Sequence, residues 1–444
     1  MISRSPFRVF LFFLVATLSI AFFFQCVFLP YLAPSLHAQR GLMIGHDSIA
    51  MEEVARARST EEISTMGWKA LIPYAGMDYY LHLIAYFYKH LFAMPWIMIP
   101  LHALTYALGG LFLFLILTRF TSTKSFALLG TLPMILLPSS WSLFTQLQRD
   151  CFVVMGAMGF LWSSLNILQS CLEQKRIRIW DLLVFSLTTY TLLCFRTYLI
   201  YLFKPLVFVA MVLFAGYSIF NRPKLSLMTL FYNALCLVIL SGWVLKLRPN
   251  EIATHQNNAE QMAEEVTSQN PYSPTLDWHQ SSWAPNFLEE KAKYLVLIRK
   301  GAVNQAMYGT LNKDINVEFH RLGDLFKYIP RALQLSLFSP FPSDWLGTSG
   351  SAFRKVAGVE TLLWYILLLV SVSILILKRN PYLFTLFCLC LYVTLSYPYA
   401  LVNVGTMYRL KLIWQFPIIG MGIVTLLSLF PVRYSIFDES VRDY

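Results

Sequence analysis

Apolar runs long enough to cross a bilayer recur along almost the whole chain, and nothing else about it restricts the fold as much. A hydrocarbon core about 30 Å thick needs about 20 apolar residues in a helix. Such runs fall near 9–31, 96–118, 125–143, 151–170, 182–195, 199–220, 225–246, 358–377, 382–400 and 412–430. Lipid offers no partner for backbone N–H and C=O groups, so runs of this length fold as helices. The sequence thus predicts an all-α polytopic membrane protein with about ten transmembrane helices.

Composition agrees. Of the 444 residues 57% are hydrophobic and 13% charged, whereas soluble domains carry about 25% charged residues. A disordered chain is excluded by 35 Phe, 24 Tyr and 11 Trp. The net charge of +11 does not point to nucleic acid, because most of the excess flanks apolar segments and sets their orientation. The seven cysteines lie in or at the ends of apolar runs, which argues against a disulfide framework or a Cys-ligated metal. The first run has a signal-peptide alternative, with a loose cleavage pattern at Ala33-Pro34-Ser35-Leu36-His37-Ala38. Its length and the runs that follow favour an uncleaved helix.

Orientation follows from the short loops. Arg4, Arg8, Arg119, Lys175, Arg176 and Arg379 are among the basic residues on one side, while the other side holds Arg149, Arg196, Arg409 and Lys411. The richer side is cytoplasmic by the positive-inside rule, which puts both termini inside. The long loops 32–95 and 247–357 then both face outward. Three regions result: 1–246 with the outer loop 32–95, the outer loop 247–357, and the C-terminal helices and tail 358–444. The aromatic run 80–95 reads as an interfacial helix, and the late loop from Trp283 onward has helical apolar spacing.

Charges at the outer boundary are the candidate site. Asp47 follows Gly45-His46 and precedes an amphipathic stretch; its plainest role is a helix N-cap, which does not exclude catalysis. Arg149 and Asp150 sit where the third run returns into the fourth, a costly depth that usually marks a functional cavity. Arg196 and Arg409 stand in outer turns against the orientation trend, and Arg354 and Lys355 precede the eighth run. One such arginine is plainly explained by snorkelling to lipid phosphate. Together they outline a phosphate site, since the guanidinium fork matches phosphate oxygens. Glu360 is placed to pair with one of them. No nucleotide-binding glycine motif and no His-based metal spacing is present, so no cofactor is assigned from the residues.

This layout resembles the GT-C glycosyltransferases. The likeness rests on the first helix, the acid in Gly45-His46-Asp47-Ser48, the aromatic run Tyr79 to Tyr88, the second acid Asp150, the large late loop and the segment Asn403 to Arg409. It covers most of the chain in order, through short motifs. The resemblance implies an inverting transfer of a sugar from a polyprenyl-phosphate donor to a lipid-linked glycan or other cell-envelope acceptor, outside a bacterial inner membrane. It makes Asp47 the general base and puts Arg196, Arg409, Lys355 and Arg354 on the lipid phosphate. Asp150 and Arg149 would orient the acceptor. The acidic pair of many relatives is His46-Asp47 here, which leaves a divalent metal open.

Two other classes fit parts of the pattern. An O-antigen-type polymerase or ligase would rely on His279, His320, Arg321 and Arg331 in the late loop. A flippase or transporter would show paired repeats with broken helices, and the two halves show no such repeat.

Overall fold

The computed structural model describes residues 5–44, 47–72, 77–173, 175–196, 199, 202, 227–246, 277–306, 311–345 and 352–429. Among these the chain is helical, with isolated bridges at His37–Met43 and Asn312–Asn403 and no longer β structure. The main helices are α1 (Pro6–Phe23), α2 (Ser48–Thr60), α3 (Met77–His90) and α4 (Ile99–Leu117). A bent pair follows, α5 (Lys124–Leu136) and α6 (Pro138–Thr145), then α7 (Asp150–Leu172), α8 (Ile179–Phe195) and α9 (Leu227–Lys246). The rest are α10 (Asn286–Ala306), α11 (Leu322–Phe338), α12 (Ala352–Lys378), α13 (Pro381–Ala400) and α14 (Val404–Leu429).

Six helical segments are long and apolar enough to cross a membrane: Pro6–Leu32, Pro95–Leu117, Asp150–Leu172, Lys355–Lys378, Pro381–Ala400 and Val404–Leu429. The bent pair makes a seventh if it counts as one span. Of the other expected runs, 182–195 and 225–246 appear as the shorter apolar helix Ile179–Phe195 and the apolar stretch Phe231–Val244. The run 199–220 lies almost wholly outside the described residues.

The expected straight span 125–143 is broken by 71° between Leu136 and Pro138. The cause is local. A residue before proline is pushed out of the α region, and Leu137 is extended at ψ 122°. This break turns α6 so that its end, Thr145, leads into the polar stretch before α7.

Small residues let the spans approach closely. A Cβ at Gly110 of α4 would come within 2.5 Å of the Phe13 ring of α1, and one at Gly156 of α7 within 2.7 Å of Leu192 of α8. One at Gly109 of α4 would come within 2.8 Å of Val154 of α7, so α1, α4, α7 and α8 lie side by side. The expected interfacial helix forms as α3, but its aromatic face is turned into the protein. Tyr80 and Ile84 are fully buried, and Tyr80 bonds to His102 Nε2 of α4 at 3.0 Å. Phe195 stacks on Phe152 with ring centroids 4.2 Å apart and meets the edges of Tyr80. The start of α7, the end of α8 and α3 are thereby held around one point.

The late loop packs as α10 and α11 against α13. Arg299 of α10, 2% exposed, donates to the Pro398 carbonyl at 2.7 Å and the Asp314 carbonyl at 2.6 Å. Residues 311–313 clasp residues 402–404, through Val404 N to Leu311 O at 3.1 Å and Lys313 N to Val402 O at 2.9 Å. That clasp fixes the start of α14.

Candidate functional site

A cavity of about 300 Å³ opens where the first outer loop, the α6–α7 turn, the end of α8 and the start of α14 meet. Its lining divides into two halves. Ala50, Met51 and Val54 of α2 and Leu81 of α3 form an apolar wall. Asp47, Gln148, Arg149, Asp150, Arg196 and Arg409 form a polar one. Small-ligand sites likewise combine an apolar wall with convergent polar groups.

Each charged side chain is placed by a specific local feature. Asp150 is the first residue of α7, where the positive end of the helix dipole favours a carboxylate. Arg196 follows the last residue of α8 and closes that helix, its N–H donating to the Leu192 carbonyl at 2.7 Å. Arg409 lies in the second turn of α14, beyond the clasp with the late loop. Its neighbour Tyr408 donates to Glu360 Oε2 at 2.7 Å, while Ser139 N donates to Glu360 Oε1 at 2.9 Å. Glu360 therefore ties α12, α14 and the start of α6 together, rather than pairing with an arginine as the sequence suggested.

Asp47 immediately precedes α2, but its side chain makes no capping hydrogen bond. Its position is set by Gln146 instead. Gln146, fully buried, accepts from Met43 N at 3.0 Å and from the Ser48 hydroxyl at 3.4 Å. A second buried amide, Gln25, donates to the Thr145 carbonyl. These bonds anchor both sides of Asp47 to the segment that leads into Asp150.

The charges form a continuous chain. Arg196 Nη2 bonds to Asp150 Oδ1. Arg409 Nε lies 3.2 Å from Asp150 Oδ2, an ion pair in which no N–H is aimed at the oxygen. Arg409 Nη2 donates to Asp47 Oδ2 at 3.2 Å. Exposure rises along the chain: the side chain of Asp150 is 1% exposed, that of Arg409 18% and that of Asp47 65%. Asp150 is the buried anchor and Asp47 the carboxylate at the mouth. Three arginines against two aspartates leave one positive charge in excess on the lining.

Five of the residues singled out from sequence, Asp47, Arg149, Asp150, Arg196 and Arg409, thus share one cavity. Lys355 is exposed and does not line it. His46 and the side chain of Arg354 lie outside the described residues. The late-loop residues are elsewhere: His279 and His320 flank the exposed Asp277, Arg321 pairs with Asp324, and Arg331 pairs with Asp314. Sequence reasoning missed Gln146, though it belongs to the same polar stretch, and read Lys411 as a boundary charge. Lys411 is 1% exposed and donates to the carbonyls of Ser336 and Ser339.

Among the described residues, a divalent metal does not fit this lining. Asp47 and Asp150 are spanned by a guanidinium rather than converging on a common point. Among the described residues no three His, Cys, Asp or Glu side chains form a metal site. No known family, curated protein or solved structure matches the chain.

Proposed function

We propose that the protein is a membrane glycosyltransferase of the GT-C kind, moving a sugar from a polyprenyl-phosphate donor to a lipid-linked glycan or another cell-envelope acceptor. The observation that carries this is the cavity in which an exposed carboxylate, Asp47, stands beside an arginine cluster, the lining as a whole carrying one net positive charge. A sugar linked to a lipid through one phosphate is a phosphodiester with a single negative charge, which that excess balances. The apolar wall of α2 and α3 suits the first isoprene units.

In the reaction the acceptor oxygen attacks the anomeric carbon. The bond from that carbon to the phosphate oxygen breaks, and its electron pair leaves with the lipid phosphate. The acceptor proton passes to Asp47 as it becomes acidic in the transition state. Arg409 and Arg149 offset the charge that grows on the departing phosphate. Asp150 and Arg196 hold the arginine cluster in position. Attack opposite the leaving group inverts the anomeric configuration.

On this reading the chain crosses an inner membrane ten times, with both termini cytoplasmic and the cavity facing out. The test is transfer by the purified protein in lipid, using a panel of polyprenyl-phosphate sugars with wild type beside Asp47→Asn. Donor consumption by wild type and not by the variant supports the assignment. Joining of preassembled pyrophosphate-linked glycans, unaffected by the substitution, would replace it with a polymerase or ligase.

A further inference from the structure

We propose that Arg409 is shared in turn between Asp47 and the phosphate that the cavity takes, so that arrival of the phosphate is what releases the Asp47 carboxylate. This rests on the reading of the cavity as a site for a lipid-linked phosphate.

The two aspartates are unequal in what they lose if Arg409 turns away. Asp150 has a second guanidinium, since Arg196 hydrogen-bonds to its other oxygen. Its contact with Arg409 is an ion pair without a directed N–H, the weaker of the two. The pair with Asp47 lies at the mouth, where the carboxylate is 65% exposed and water replaces a lost partner at little cost. Of the two arginines on Asp150, Arg409 is therefore the less firmly held. A phosphate offers it two oxygens in the fork geometry that a single carboxylate oxygen does not.

The exchange needs no movement of the helix. The start of α14 is clasped to residues 311–313, and Tyr408 is tied to Glu360 at 2.7 Å. Only the side chain of Arg409 turns. Asp47 Oδ2 accepts from Arg409 Nη2, so that oxygen is not open to an acceptor hydroxyl. Once phosphate draws the guanidinium away, that oxygen is free to take the acceptor proton. Donor binding thus frees that oxygen for the acceptor.

Because one guanidinium serves two anions, Asp47 competes with phosphate. The experiment measures the Kd of farnesyl phosphate by calorimetry on the full chain in nanodiscs of zwitterionic lipid at low salt. Four proteins are compared: wild type, Asp47→Asn, Arg409→Gln and the double variant. Asp47→Asn should tighten binding about three- to five-fold, the worth of a partly exposed ion pair. Arg409→Gln should weaken it, and Asp47→Asn should then have no further effect. If Arg409→Gln does not fold, Arg409→Lys keeps the charge without the fork and should lose most of the same coupling.

An unchanged Kd in Asp47→Asn overturns the exchange. So does equal tightening in both backgrounds, which would be direct repulsion by Asp47. Inorganic phosphate, run in parallel, should bind more weakly with the same dependence on Asp47; equal affinity for the two would overturn a lipid-linked ligand. The transferase reading is separated by the sugar-transfer assay. Wild-type transfer with no Asp47 effect on binding sinks the exchange alone. The coupled binding pattern without transfer sinks the transferase alone. No binding in any protein, together with no transfer by wild type, overturns both.

Discussion

Arg196 and Asp150 form an ion pair withdrawn from water, their side chains 10% and 1% exposed, at the junction of α7 and α8. Taking two charges out of water is costly, and removing one partner strands the other. Arg196→Met should therefore destabilise the protein by about 3 kcal/mol, somewhat softened because Arg409 still faces Asp150. The double variant Asp150→Leu with Arg196→Met should recover much of that loss, since no charge is left stranded. Unfolding midpoints in detergent and denaturant give the comparison. A double variant as unstable as the single one would show that packing, not charge, is what Arg196 supplies.

Asp47 behaves in the opposite way. At 65% exposure its ion pair with Arg409 is worth at most about 1 kcal/mol. Asp47→Asn should leave the unfolding midpoint almost unchanged while lowering sugar transfer by a factor of at least about 100, the scale of a lost general base. The two readings come from the same preparation. A large stability loss, or transfer at the wild-type rate, would remove Asp47 from the base role.

The sequence made these charges legible because charge is expensive at a membrane boundary, so Arg149, Asp150, Arg196 and Arg409 stood out from their apolar surroundings. Their meeting did not follow from that cost. Asp47 and Arg409 are 362 positions apart, and no local periodicity reports such a contact. Gln146 escaped notice because an uncharged amide in a polar turn is cheap and commonplace. Glu360 was expected beside an arginine, but a carboxylate is satisfied equally well by the Tyr408 hydroxyl and the Ser139 N–H, and packing made that choice. The bend at Leu137, by contrast, was within reach, because a residue before proline resists the α region.

Gln146 should act on the site without touching its contents. It is fully buried and holds Met43 N and the Ser48 hydroxyl on either side of Asp47. Gln146→Leu leaves those donors unsatisfied and should cost about 1–3 kcal/mol of stability. Transfer should fall chiefly in kcat, because the carboxylate is misplaced while the arginines proposed to hold phosphate stay. A defect confined to KM would mean that Gln146 shapes the binding wall instead.

The late loop offers a test in pH. Arg299 crosses from α10 to the Pro398 carbonyl of α13 and to the carbonyl of Asp314, while the Asp314 carboxylate accepts from Arg331 at 2.8 Å and from Tyr328 at 2.8 Å. Burial alone would raise the Asp314 carboxyl. The hydrogen bonds from Arg331 and Tyr328 and the charges of Arg331 and Arg299 outweigh it, so the group is held below its ordinary value. A carboxyl depressed in the folded state contributes stability above its unfolded value of about 3.9 and loses it as pH falls through the folded one. Hydrogen exchange in residues 311–319 should therefore stay slow and constant from about pH 8 to pH 5, after correction for the intrinsic rate, and quicken only below about pH 4. Arg331→Met should move that acid limit upward, toward the unfolded value, because burial then acts with less opposition. A transition near pH 6 would overturn this role of Asp314.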